Sequence, residues 1–83
     1  MKYLDCVEVI VEKEKYAKYG VHKGMQGVIW LEESIDGEWD VNFPQYGEKE
    51  DIAEISISEK DLILLPKGMD AKVNERIKAK FGD

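Results

Sequence analysis

Cys6 and His22 are the chain's single cysteine and single histidine, the residue types of a thiol nucleophile and its base. A reactive thiolate needs a lowered pKa from a cationic neighbour or a helix N-terminus. Cys6 instead has Asp5 and Glu8 beside it, and negative neighbours raise a thiol's pKa. It reads as a structural cysteine. His22 stands just before a turn signal and reads as a solvated or backbone-capping residue. One Cys and one His cannot build a structural zinc site. Gly24 and Gly27 could approach a phosphate, but they lack the Lys-Ser/Thr ending of a P-loop and read as a turn followed by a bend into a strand. Asp36-Gly37 lies among acids whose spacing is not that of a calcium loop. No catalytic residue, metal site or cofactor emerges, and the chain is expected not to be an enzyme.

The acidic residues are more informative. Residues 1–66 hold 15 acids and 7 bases, and residues 67–83 hold 3 acids and 5 bases. An acidic module of 1–66 is therefore followed by a weakly basic appendage of 67–83. Glu8, Glu12, Glu32, Glu33, Glu38, Asp40, Glu48, Glu50, Asp51 and Glu54 fall at predicted outward or loop positions. A negative field of this kind attracts basic proteins and speeds their encounter. Tyr16, Tyr19 and Tyr46 are expected on loops, where amphipathic rings often serve interfaces. The candidate partner-binding residues are Glu32, Glu33, Asp36, Glu38, Asp40, Tyr46, Glu48, Glu50 and Asp51.

Short strands must position these residues. Val7, Val9 and Val11 alternate with Glu8, Ile10 and Glu12, the period of a half-buried strand. Residues 13–19 read as a long first loop. Gly27 opens the apolar run Val28-Ile29-Trp30-Leu31, expected to be a strand buried on both faces or bent across a barrel. Ser34-Ile35-Asp36-Gly37 is a hairpin-turn signal. Trp39, Val41 and Phe43 then point inward, between Glu38, Asp40 and Asn42, until Pro44 ends the strand. Ala53, Ile55 and Ile57 alternate with Glu54, Ser56 and Ser58. Glu59-Lys60-Asp61 reads as a tight turn, and Leu62-Ile63-Leu64-Leu65 as a last buried strand. Five short strands suggest a small barrel, which would remove exposed edges. Met69, Val73 and Ile77 recur every four residues with Phe81 near their stripe, predicting an amphipathic C-terminal helix. Asp70 near its start and Gly82 at its end suit the dipole and the cap. About 12 residues make a marginal helix alone, so it should dock on the barrel or on a second copy, giving a homodimer.

Val21-His22-Lys23-Gly24-Met25-Gln26-Gly27-Val28-Ile29 resembles the strand–turn–strand core of KOW-type, SH3-like barrels. Gly37-Glu38-Trp39-Asp40-Val41-Asn42-Phe43 and Ser58-Glu59-Lys60-Asp61-Leu62 are similar to the same layout. The order over residues 4–65 resembles a family of small bacterial barrel proteins of uncharacterised function. The resemblance implies a mainly β fold, a five-stranded SH3-like barrel with a C-terminal helix, and transfers no catalytic site. RNA-binding KOW barrels usually carry basic residues around the Gly-x-x-Gly turn. Here Lys23 is nearly alone.

Eighty-three residues make one domain. A hydrophobic content of 43% is enough for a core. No apolar run approaches the roughly 20 residues of a membrane helix, and Asp5 stands where a signal peptide would begin its apolar stretch. The unpaired cysteine fits a reducing compartment, so a cytoplasmic protein is expected, and the resemblance implies a bacterial one. A net charge of -6 disfavours nucleic acid as the partner. The function expected is a non-catalytic protein-interaction module for a basic protein, in its most concrete form an immunity or antitoxin-type inhibitor of a basic toxin domain. The alternatives are a KOW-like nucleic-acid or ribosome-associated factor and an accessory subunit of a larger enzyme.

Overall fold

A computed structural model describes residues 1–47 and 49–82. The elements are β1 (Cys6–Val9), α1 (Glu14–Ala17), β2 (Gln26–Ile29), β3 (Glu38–Phe43), β4 (Ala53–Ser58), β5 (Leu62–Leu64) and α2 (Ala71–Phe81), with a 3-10 turn over Glu59–Asp61 before β5. The strands form one antiparallel sheet in the order β4-β3-β2-β1-β5, curled into a half-barrel. Its concave face holds Val7, Val9, Ile29, Trp39, Val41, Phe43, Ile57 and Leu62, all buried. The alternation read in β1, β3 and β4 is thus the alternation of core and surface.

The turn between β2 and β3 forms as its residues require. Asp36 and Gly37 are both left-handed, at φ 52° and 76°, and Ile35 bridges Glu38. Consecutive left-handed residues make the type I′ turn that matches strand twist. Gly27 has a different reason to be glycine. A Cβ there would lie 2.6 Å from the Asn42 carbonyl oxygen and 2.7 Å from Val41 Cγ1. β3 crosses so closely that only a bare backbone fits.

Four expectations are corrected. Residues 13–19 are not simply a loop, because residues 14–17 make one helical turn that drives Tyr16 into the core. β2 ends at Ile29, and Trp30 is exposed rather than buried on both faces. Of the last strand only Leu62 is buried, while Ile63 and Leu64 are about half exposed. The cause is position, since β5 lies at the sheet edge with β1 on one side only. The strands also leave edges at β4 and β5, since these two lie at opposite ends of the strand order.

The helix is capped as its sequence predicts. The Asp70 side chain accepts from Lys72 N–H, and Gly82 is left-handed at φ 77°. It docks on its own chain through Asn74, which is fully buried. The register Val28↔Asn42 brings Gln26 opposite Pro44 two residues on. Pro44 has no N–H, so the ladder cannot continue there. The Asn74 amide fills the gap. Its Oδ1 accepts from Gln26 N–H at 2.7 Å, and its Nδ2 donates to the carbonyls of Gln26 and Pro44, both at 2.8 Å. Gln26 Oε1 accepts from Asp70 N–H, Ile77 packs on the core, and Phe81 stacks on His22 with ring centres 3.7 Å apart.

Two substitutions test this packing by urea denaturation. Asn74→Ala strands a buried N–H and two carbonyls and should lower stability by about 3 kcal/mol. Gly27→Ala, which adds one methyl against backbone, should lower it by roughly 2–3 kcal/mol.

Candidate functional site

The most buried ionisable cluster joins Lys13, Tyr16 and Asp61. Asp61 is 3% exposed and Tyr16 2%. Tyr16 Oη donates to Asp61 Oδ2 at 2.7 Å and accepts from Ser58 N–H at 3.2 Å, while Lys13 Nζ donates to the same carboxylate oxygen at 2.9 Å. Burial works to raise the Asp61 pKa. The hydrogen bonds from Lys13 and Tyr16 and the Lys13 charge outweigh it and hold the carboxyl below its ordinary value. Burial first, then the Asp61 carboxylate, pushes the Tyr16 hydroxyl up to about 12. Neither group is poised to exchange a proton near neutrality. The cluster joins elements rather than performing acid–base chemistry.

Of the two readings of His22, solvated or backbone-capping, the first is overturned. The residue is buried, with Nδ1 2.7 Å from Glu12 Oε2, and Lys23 N–H donates to the other oxygen of the same carboxylate. Glu12 is therefore engaged within the fold. Cys6 is in different company, in a shallow hollow with Leu4, Leu64, Leu65 and Pro66.

The predicted partner-binding acids divide into groups. Glu32, Glu33 and Asp36 are exposed on the β2–β3 connection, and Glu38 and Asp40 stand half-buried on the convex face of β3. Asp51 accepts a 2.8 Å hydrogen bond from Asn42 Nδ2. Glu50 is exposed, and its carbonyl accepts from Gln45 Nε2. Glu48 lies outside the described residues. Tyr46 is exposed, with the Lys72 ammonium 4.7 Å from its ring centre. Lys49 pairs with Glu75, and Lys78 Nζ lies 3.4 Å from Gln45 Oε1. Cations from α2 thus reach residues 45 and 46, leaving this end of the surface less open than the β3–β4 face.

On that face the antiparallel register brings together a carboxylate pair that sequence reading did not single out. Asn42 faces Glu54 across the strands, and Asp40 faces Ser56. A hydrogen bond with Asp40, assisted by slight desolvation and by the Asp40 charge, holds the exposed Glu54 carboxyl above its ordinary value. Trp30 flanks the pair. Its N–H donates to the Asp40 carbonyl at 2.8 Å, and its exposed ring meets Tyr3 edge-on at 5.7 Å. An aromatic face beside two crowded carboxyls has the chemistry to receive an ammonium or guanidinium group. The apolar run around Trp30 hid this, because a run does not say which of its residues faces out. Among the described residues no three metal-ligating side chains cluster, and no helix is long and apolar enough to cross a membrane.

No family model, curated protein or solved structure matches the chain.

The buried cluster makes stability depend on pH at both extremes. Asp61, depressed in the fold, contributes stability above its unfolded value of about 4, and that contribution disappears as pH falls through the lower folded value. Tyr16, raised in the fold, contributes stability below about pH 10, lost as pH rises toward 12. Tyr16→Phe should remove the tyrosine-dependent loss above pH 10 and lower stability at pH 7 by about 2 kcal/mol, measured by urea denaturation across pH.

Proposed function

We propose that the chain is a non-catalytic module that binds a basic protein through the convex face of β3 and β4. Asp40 and Glu54 are the centre of this surface, Trp30 is its aromatic border, and Glu38 and Asp51 extend it. The observation that carries the reading is the placement of Asp40 and Glu54 on one diagonal of the β3–β4 register, where a hydrogen bond with Asp40 holds the Glu54 carboxyl above its ordinary value. A cation placed between them favours both ionised carboxylates. Glu32, Glu33 and Asp36 on the neighbouring hairpin add long-range attraction.

This agrees with the acidic balance of residues 1–66. Inhibition of a basic toxin domain, as an immunity or antitoxin-type protein, is the most concrete form of the activity. An enzyme built to hold phosphate presents the positive surface that such a face complements. The resemblance to KOW-type barrels supplies a scaffold for the reading, while the charge weighs against nucleic acid.

NMR titration with oligolysine and with a single-stranded RNA oligonucleotide tests the reading. Oligolysine should shift the resonances of Trp30, Asp40 and Glu54, and RNA should shift none of them. The double variant Asp40→Asn, Glu54→Gln should bind oligolysine about tenfold more weakly, with thermal stability little changed because the amides can keep the side-chain hydrogen bond. RNA binding that falls steeply with salt, or oligolysine binding unaffected by the double variant, would overturn it.

A further inference from the structure

The outer edge of β4 adjoins this face and has its own geometry. The register runs Glu38↔Ser58 to Phe43↔Ala53, and Glu59 N–H donates to the Gly37 carbonyl at 2.9 Å. In an antiparallel ladder the bonded residues alternate. Residues 53, 55 and 57 of β4 therefore bond to β3, and the main-chain groups of Glu54, Ser56 and Ser58 point away from the sheet. Ser58 fits this pattern, because its N–H donates to Tyr16 Oη. The N–H and C=O groups of Glu54 and Ser56 face an open groove of about 460 Å³ between β4 and the α1 segment, lined by Lys15, Tyr16, Tyr19, Glu38, Glu54 and Ile55. The α1 segment bounds the groove at both ends. Tyr16 meets Ser58 at one, and Gly20 passes Ile52 at the other, where an added Cβ would lie 3.4 Å from the Ile52 side chain.

We infer that this groove receives an extended segment of the basic partner as a sixth strand, paired to β4 at Glu54 and Ser56, with basic and apolar residues alternating along it. The inference rests on the functional reading above and adds the mode of recognition. The pleat dictates the alternation. Side chains beside Glu54 and Ser56 emerge on the convex face, where the Glu54, Asp40 and Glu38 carboxylates favour Lys or Arg. Side chains beside Ile55 turn toward the concave side, where half-buried Ile55 and exposed Tyr19 favour an apolar residue. Main-chain hydrogen bonds then give affinity and the alternating side chains give selectivity. Among the described residues Lys15 is the one cation lining the groove, and its ammonium sits over the Tyr16 ring, 5.2 Å from its centre.

The experiment uses the full chain and a capped peptide in which Lys and Val alternate. Two further versions are N-methylated at every second main-chain nitrogen, one at the lysines and one at the valines. Methylation removes donors but keeps every charge. The unmethylated peptide should slow hydrogen exchange at the Glu54 and Ser56 amides, and at least one methylated version should bind about tenfold more weakly. If both methylated versions bind as tightly as the parent and the two amides gain no protection, strand addition is overturned while recognition by charge stands. If oligolysine and the alternating peptide both fail to bind, strand addition and the functional reading fall together.

Discussion

The sheet is too short to close on itself, and a buried carboxylate bridges part of the opening. β4 and β5 are the two edges, and the 3-10 turn over Glu59–Asp61 must carry the chain from one to the other. Asp61 sits at that crossing. It holds Lys13 from the segment after β1 and Tyr16 from α1, and through the Tyr16 hydroxyl it reaches Ser58 on β4. Its carbonyl accepts from Ile10 N–H beyond β1. A charge buried this deeply is tolerable only when it is paired and hydrogen-bonded, so these elements must arrive together. Together they fix α1 against β4 and leave the β4 edge open between Ser58 and Ile52.

The convex face follows from the curl of the sheet and from the pleat. The side chains that miss the core on β3 and β4 are Glu38, Asp40, Asn42, Glu54, Ser56 and Ser58. Five are acids or serines, and the two most crowded carboxylates meet on one diagonal. Opposed charges across strands would have been the stabilising choice. Like charges in that position lower stability, which is why we centre the proposed surface on this face and not on the hairpin tip.

Much of the architecture was legible in the sequence because each element obeyed a local rule. Trp39, Val41 and Phe43 keep period two, Asp36-Gly37 can adopt the left-handed pair, and Asp70 and Gly82 bracket a stripe of period four. The misreadings share one cause, which is that neighbours in space are not neighbours in sequence. Leu62-Ile63-Leu64-Leu65 is apolar throughout, and nothing local says that it has a strand on one side only. Glu59-Lys60-Asp61 looks like a solvated turn, since the partners that bury Asp61 lie far back at Lys13 and Tyr16. Asn74 looks like an ordinary polar residue beside the Val73–Ile77 stripe, because its purpose is set by the missing N–H of Pro44. The exposed Trp30 and the pairing of Asp40 with Glu54 likewise require the β2–β3–β4 register.

The Asn74 lock also bears on time. It closes contacts between residues 48 positions apart, whereas the β2–β3 and β3–β4 hairpins close over short spans. Loop-closure entropy favours the short spans first, so the helix contacts, like the still longer β1–β5 closure, settle after these two hairpins. An interaction absent when the barrier is crossed leaves the folding rate nearly untouched and slows unfolding. The last helix therefore acts as a latch, and its contribution is to how long the folded sheet persists once it has formed.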